Sequence, residues 1–194
     1  VSERSERTIS GATVTVRPAV PADYPAISRL TLAAYEADGQ FEGAGYYPDM
    51  LADVAGRAGA GELLVAVSPQ DVVLGAVLYV GEGGPFAELS RPDEAEFRML
   101  AVDPSAQGRG VGRALVRACV ERATAAGRTA VVICVRDIAV AAQKLYETFA
   151  FRRDPDLDWS PLPGVHLWGL RLPLNRRGDH GSDVDHDDRG LAGA

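Results

Sequence analysis

Apolar residues recur along this chain at two spacings, every second position and every third or fourth. Their alternation predicts a mixed α and β protein. Thr13 to Arg17 alternates as a strand, and Pro18 ends it. Asp23 is placed to cap a helix running to about Ala37, with Ile27, Leu30 and Ala34 on one face and Gly39 closing it. A glycine- and aromatic-rich loop, Gly39 to Tyr47, precedes a weaker helix from Pro48 to about Arg57, and Gly59 to Gly61 reads as a turn. Glu62–Val67 and Val72–Val80 flank the short Ser68-Pro69-Gln70-Asp71 segment and predict a hairpin. After a connection rich in glycine and proline, Glu94–Val102 returns as a strand. Gly110–Ala126 is alanine-rich, carries Val111, Leu115 and Ala118 along its faces, stops at Gly127, and is the strongest helix. Thr129–Val135 is apolar throughout, as in a strand covered on both faces. A helix from Ile138 to about Thr148 follows, then Phe149-Ala150-Phe151 leading into a strand, a proline-containing loop from Asp154 to Val165, and a last strand, His166–Leu172.

Composition sharpens the boundaries. After Pro173 the chain turns charged and glycine-rich, so residues 175–194 are predicted to be a disordered tail; residues 1–12 are polar and predicted to be flexible. One domain, residues 13–174, remains, and 46% hydrophobic residues over 194 positions suffice for a real core. A formal charge of −7, from 27 acidic against 20 basic residues, argues against a nucleic-acid binder and mildly favours a cationic partner such as an amine. Cys119 and Cys134 fall in apolar segments and read as buried free thiols of a reducing cytosol. The first residues carry no apolar run, and no stretch approaches the ~18 apolar residues of a membrane helix. A cytoplasmic protein with no membrane partner is expected.

The chemistry concentrates in Leu100 to Arg113. An apolar run breaks at Asp103-Pro104, becomes a loop with Gly108, Gly110 and Gly112 at alternate positions, and passes directly into the strongest helix. Free N–H groups and the dipole at a helix start attract an anion, and Arg109 and Arg113 add full charges. A diphosphate suits such a cradle. The segment lacks the Gly-Lys-Ser/Thr ending of a P-loop and the Gly-x-Gly-x-x-Gly spacing of a dinucleotide fold, and several strands precede it.

Gln107-Gly108-Arg109-Gly110-Val111-Gly112 resembles the Gln/Arg-x-x-Gly-x-Gly/Ala pattern of the GCN5-related N-acetyltransferase (GNAT) superfamily. The likeness extends to Glu96–Pro104, which resembles that family's fourth strand, to Leu145–Phe151, similar to its Leu-Tyr-Glu-Lys-x-Gly-Phe segment, and to Thr15–Pro18 followed by Asp23. It spans residues 13 to about 173. The resemblance implies an α/β (α+β) fold, a mixed, mostly antiparallel twisted sheet flanked by helices, with parallel strands four and five splayed apart. It also implies acetyl-CoA as co-substrate, with no metal. The backbone of Leu100, Ala101 and Val102 would meet the pantetheine arm, and the N–H groups of Gln107, Gly108, Arg109, Gly110, Val111 and Gly112 the diphosphate, with Arg113 beside them. Tyr146 would protonate the leaving thiolate, or else serve packing alone. Glu96 would take the amine's proton, directly or through water, or else form an ion pair with Arg98; strand alternation puts Glu96, Arg98, Leu100 and Val102 on one face. Two positions depart from the family: Ala139 replaces an asparagine that contacts the cofactor, and Ala150 replaces a glycine.

The expectation is an acetyl-CoA-dependent N-acetyltransferase acting on a primary amine by direct attack in a ternary complex. A non-catalytic acyl-CoA-binding or regulatory protein, or an N-acyltransferase using a larger acyl group, is the alternative. On the acceptor side, Tyr24, Tyr35, Phe41, Tyr46 and Tyr47 line a pocket or fill the core, and Glu82, Glu88, Asp93 and Glu94 steer a cation or form a solvated loop. His166 reads as structural, and His180, Asp183, Asp185, His186, Asp187 and Asp188 are weak metal candidates in the tail. Monomer and homodimer both stay open.

Overall fold

The computed structural model describes residues 14–41, 47–81 and 83–174. The two predicted loose ends, the His/Asp group of the tail, Tyr46 and Glu82 lie outside the described residues. Among the described residues, eight strands form one sheet: β1 (Thr15–Pro18), β2 (Glu62–Val67), β3 (Val73–Val80), β4 (Ala95–Val102), β5 (Ala130–Arg136), β6 (Arg152–Arg153), β7 (Trp159–Leu162) and β8 (Val165–Pro173). Their order is β1-β2-β3-β4-β5-β8-β6, with β7 also paired to β8. All pairings are antiparallel except β4 with β5.

Two groups of helices cover the two faces. On one lie α1 (Tyr24–Ala37), α2 (Tyr47–Ala52) and α3 (Val54–Ala60), where Ile27 and Val54 pack on Leu63, Val65 and Leu78. On the other, α4 (Val111–Ala125) and α5 (Val140–Glu147) bring Leu115, Cys119 and Tyr146 against Leu64, Val77, Phe97 and Ile133. Successive side chains of a strand point to opposite faces, so Leu63 and Leu64, both buried, serve different cores. Covered strands of this kind read as the continuous apolar runs seen in the sequence.

Some local expectations change. Asp23 does not cap α1: it has helical backbone angles, and its carboxylate reaches back to the Val20 N–H at 2.8 Å and to Arg17 at 2.7 Å. The helix expected from Pro48 is two helices, because Asp53 caps a new one by accepting from the Gly56 N–H at 2.9 Å, and α3 runs on to Ala60 through the predicted turn. The loop Asp154–Val165 contains β7, in which Pro161 hides a strand that pairs only with β8.

Two irregularities in β4 shape the centre of the molecule. Only Ala95 and Glu96 pair with β5, opposite Val131 and Val132; beyond them the two parallel strands part. Meanwhile the register with β3 shifts between Ala76 and Leu78, opposite Met99, whose φ is +53°. The extra residue reverses the alternation. Leu100 and Val102 therefore join Phe97 on the α4 side, while Met99 and Ala101 face α1, which corrects the expectation that Leu100 and Val102 share a face with Glu96 and Arg98.

Candidate active site

Where β4 and β5 separate, a cavity of about 200 Å³ opens between them. Phe97 to Leu100 form one wall, Cys134 to Arg136 the other, and Tyr146 of α5 closes the side toward α4. Tyr35, Tyr47 and Met50 bound it on the α1–α2 side, with Trp159 and Leu167 of the β7–β8 hairpin. A passage between splayed strands at their carboxyl ends is where open sheets with parallel strands bind ligands.

At the far end of β4 the chain turns into α4. The Asp103 carboxylate accepts from the Ser105 N–H at 2.9 Å and fixes a single 3₁₀ turn, Pro104–Ala106. Gly108 and Gly110 then take left-handed φ values of +72° and +80°, and Gly110 caps α4. The first helical acceptor is the Gly110 carbonyl, bonded by the Ala114 N–H at 2.9 Å, so the N–H groups ahead of Ala114 have no carbonyl of the helix to meet. A Cβ on Gly108 or Gly110 would meet nothing within 4 Å, so the backbone is open to an approaching group. Gly112 is different: its Cβ would come 3.0 Å from the Leu145 side chain, so this glycine lets α4 and α5 approach. Gln107 and Arg109 are exposed, the Val111 side chain is buried in the core, and the Arg113 guanidinium lies 5.9 Å from the Phe149 ring. Such a turn, with its dipole and two arginines, suits a diphosphate.

Tyr146 is buried, its ring 5.9 Å from that of Phe97 and 5.8 Å from that of Phe151. Burial pushes its hydroxyl well above the ordinary tyrosine range, so it stays protonated. Glu96 has no exposed surface and is not part of the cavity wall. Its Oε2 accepts from the N–H groups of Leu89 at 2.9 Å and Ser90 at 3.1 Å, while Oε1 has no hydrogen-bond partner and lies 3.8 Å from Arg98 Nε. Burial raises the Glu96 carboxyl above its ordinary value, against the opposing pull of those N–H groups and of Arg98.

The acidic segment before β4 is not merely solvated. Glu88 reaches the cavity and pairs with Arg98 at 2.6 Å, Glu94 is buried and pairs with Arg171, and Asp93 accepts from the Thr129 hydroxyl at 2.9 Å. Of the aromatic candidates, Tyr35 and Tyr47 line the cavity, 5.9 Å apart, whereas Tyr24 and Phe41 pack into the cores. His166 is exposed, with Nδ1 3.2 Å from the Ser160 hydroxyl. Both cysteines are free; Cys119 is buried as expected, whereas Cys134 is only partly buried and lines the cavity, where desolvation pushes its thiol up to about 11. Ala139 stands before α5 without a capping side chain; Gln143 holds that turn instead, donating from Nε2 to the carbonyls of Arg136 at 3.1 Å and Asp137 at 2.9 Å. Arg98, Arg136 and Glu88 are cavity residues that the sequence left unassigned or undecided. A charge ending the apolar run Val131–Val135 was the available signal for Arg136.

Comparison with known proteins bears on the family and the fold. Residues 25–151 match the Acetyltransferase (GNAT) family. The chain is 37% identical over 103 residues, 52% of its own length, to the N-acetylaspartate synthetase of Danio rerio, of which it covers 35%. The chain thus spans about a third of that relative's length. Among solved structures, a GCN5-related N-acetyltransferase from Kribbella flavida is 27% identical with a TM-score of 0.62, over 83% of this chain and 98% of that one. The yncA structure from Salmonella typhimurium, solved with its cofactor acetyl-CoA, has a TM-score of 0.59 at 21% identity, over 87% and 96% of the two chains. Among the described residues no helix is long and apolar enough to cross a membrane, and no three His, Cys, Asp or Glu side chains gather as a metal site.

Proposed function

The chain belongs to the acetyltransferase (GNAT) family, and from that premise we propose that it transfers an acetyl group from acetyl-CoA to the nitrogen of a primary amine, in a ternary complex. The observation that carries the reading is the gap between β4 and β5, with the glycine turn at its outer end and Tyr146 facing its interior. The free edge of β4 at Leu100, Ala101 and Val102 would receive the pantetheine arm, and the N–H groups from Gln107 to Gly112, with Arg109 and Arg113, the diphosphate. Bound there, the co-substrate supplies an activated acetyl group as its thioester. The N-acetylaspartate synthetases are named for an acetylated amine, which fits this class of reaction.

An amine with a pKa near ~10 must lose a proton before attack. Glu96 is a suitable base because burial raises its affinity for a proton above that of an ordinary carboxylate, and its Oε1, which accepts no hydrogen bond, would act through a water between it and the cavity. Tyr146, kept protonated by burial, donates to the departing sulfur. Thiol release from acetyl-CoA over a panel of amines tests the reading, alongside calorimetric CoA binding. Tyr146→Phe is expected to lower kcat about 10²-fold while leaving the Kd for CoA within about threefold. Tight CoA binding without turnover on any amine would overturn the enzymatic reading, and an unchanged kcat in Tyr146→Phe would remove its role as acid.

A further inference from the structure

The charges in the cavity bear on the acceptor. Among the described residues, three ionic side chains line it: Glu88, Arg98 and Arg136. Glu88 and Arg98 neutralise each other at 2.6 Å, and Arg98 also faces Glu96 at 3.8 Å. Arg136, the last residue of β5, has no acidic partner among the described residues. Its Nη1 donates to the Gln40 carbonyl at 3.0 Å, which anchors the guanidinium without neutralising it, and its Nε is buried with no hydrogen-bond partner. The guanidinium charge at the cavity wall would attract a ligand carboxylate, a group that the arginine fork recognises well. About 200 Å³ is small for a ligand pocket, and the acetyl end of the donor would take part of that space.

Resting on the acetyltransferase reading, we propose that the acceptor is a small amine carrying a carboxylate, of amino-acid size, with Arg136 holding the carboxylate. The net acidity of the chain does not oppose this, because local charge in the cavity, and not the sum over the surface, decides binding there. Arg136 is then a specificity residue and takes no part in proton transfer.

The test pairs amino acids with their own carboxamides as acceptors for the full chain with acetyl-CoA. The acids are expected to show at least tenfold higher kcat/KM, mainly through KM. Arg136→Gln should erase that difference, and Arg136→Lys, which keeps the charge, should restore part of it. Calorimetry of the same acids and carboxamides against the CoA-loaded protein reads recognition independently of turnover. Equal kcat/KM for acids and carboxamides, or an Arg136→Gln variant that lowers both alike, overturns the inference. If nothing turns over, acid-selective binding that Arg136→Gln abolishes still supports the inference and overturns only the enzymatic reading; absence of acid-selective binding overturns the inference itself.

Discussion

Glu96 Oε2 is fixed by two backbone N–H groups, while Oε1 has no hydrogen-bond partner and no exposed surface. An ordinary glutamate titrates near ~4.3 and is a weak base at neutral pH. Burial raises Glu96 above that value, so its basic form fills only as pH rises through the raised pKa. Wild-type kcat/KM is therefore expected to fall on acidification through a limb lying above the usual carboxylate range. Glu96→Gln should lose that limb and be about 10²-fold slower near neutrality, with the deficit shrinking at alkaline pH as the amine deprotonates unaided. Parallel pH profiles in the two proteins would exclude Glu96 as the base. Ala150 shows a different strain. It follows α5 at φ +65°, donating to the Glu147 carbonyl at 2.9 Å, in a conformation that glycine adopts freely. The Ala150 side chain is exposed, so Ala150→Gly gives up little packing. Relief of the left-handed penalty, set against glycine's greater freedom when unfolded, should leave a net stabilisation of about 0.5–1 kcal/mol. A urea midpoint that fails to rise would contradict this.

The glycine turn and α4 act as one element. Gly110 combines a left-handed φ with open space around its missing side chain, so a substitution there can fold and yet obstruct an anion. Gly110→Asp is expected to melt within a few degrees of the parent, aspartate being among the side chains that tolerate this conformation. Its carboxylate would stand where the diphosphate is proposed to bind, and CoA affinity should fall by at least 10²-fold in calorimetry. Retained affinity would move the diphosphate elsewhere. This element was legible in the sequence because its signals are local: apolar run, Asp-Pro break, alternate glycines, strong helix. The β2–β3 hairpin and α1 were legible for the same reason. The reversal of faces in β4 was not, since Met99 carries none of the glycine signature of a left-handed bulge, and the register shift depends on β3, more than twenty residues earlier. Arg136 was missed likewise; its anchor, the Gln40 carbonyl, is 96 positions away. Periodicity marks which residues are covered, but such long-range contacts decide which charges are left unmet.

Across the whole molecule, β4 and β5 form the seam between two antiparallel halves, and the seam is unequal along its length. At the Ala95 end it is tied shut. The Thr129 N–H donates to the Asp93 carbonyl at 2.9 Å, Arg128 donates to the Pro92 carbonyl at 3.0 Å, and Arg171 of β8 pairs with buried Glu94. At the Leu100 end no strand pairing crosses it, and Arg136 reaches over to Gln40 instead. A co-substrate bound in the open end replaces missing strand contacts there and leaves the tied end as it was. Binding at one hundred times Kd should raise global stability by about 2.7 kcal/mol. Local protection should be uneven. Amide hydrogen exchange from Gln107 to Arg113 and at Leu100 and Val102, whose N–H groups face the free edge of β4, should slow by more than the global gain, because those N–H groups acquire acceptors. Ala95 and Val131, paired across the tied end, should slow only by the global amount. Uniform protection, or protection greatest at the tied end, would mean that CoA does not bind in the splay.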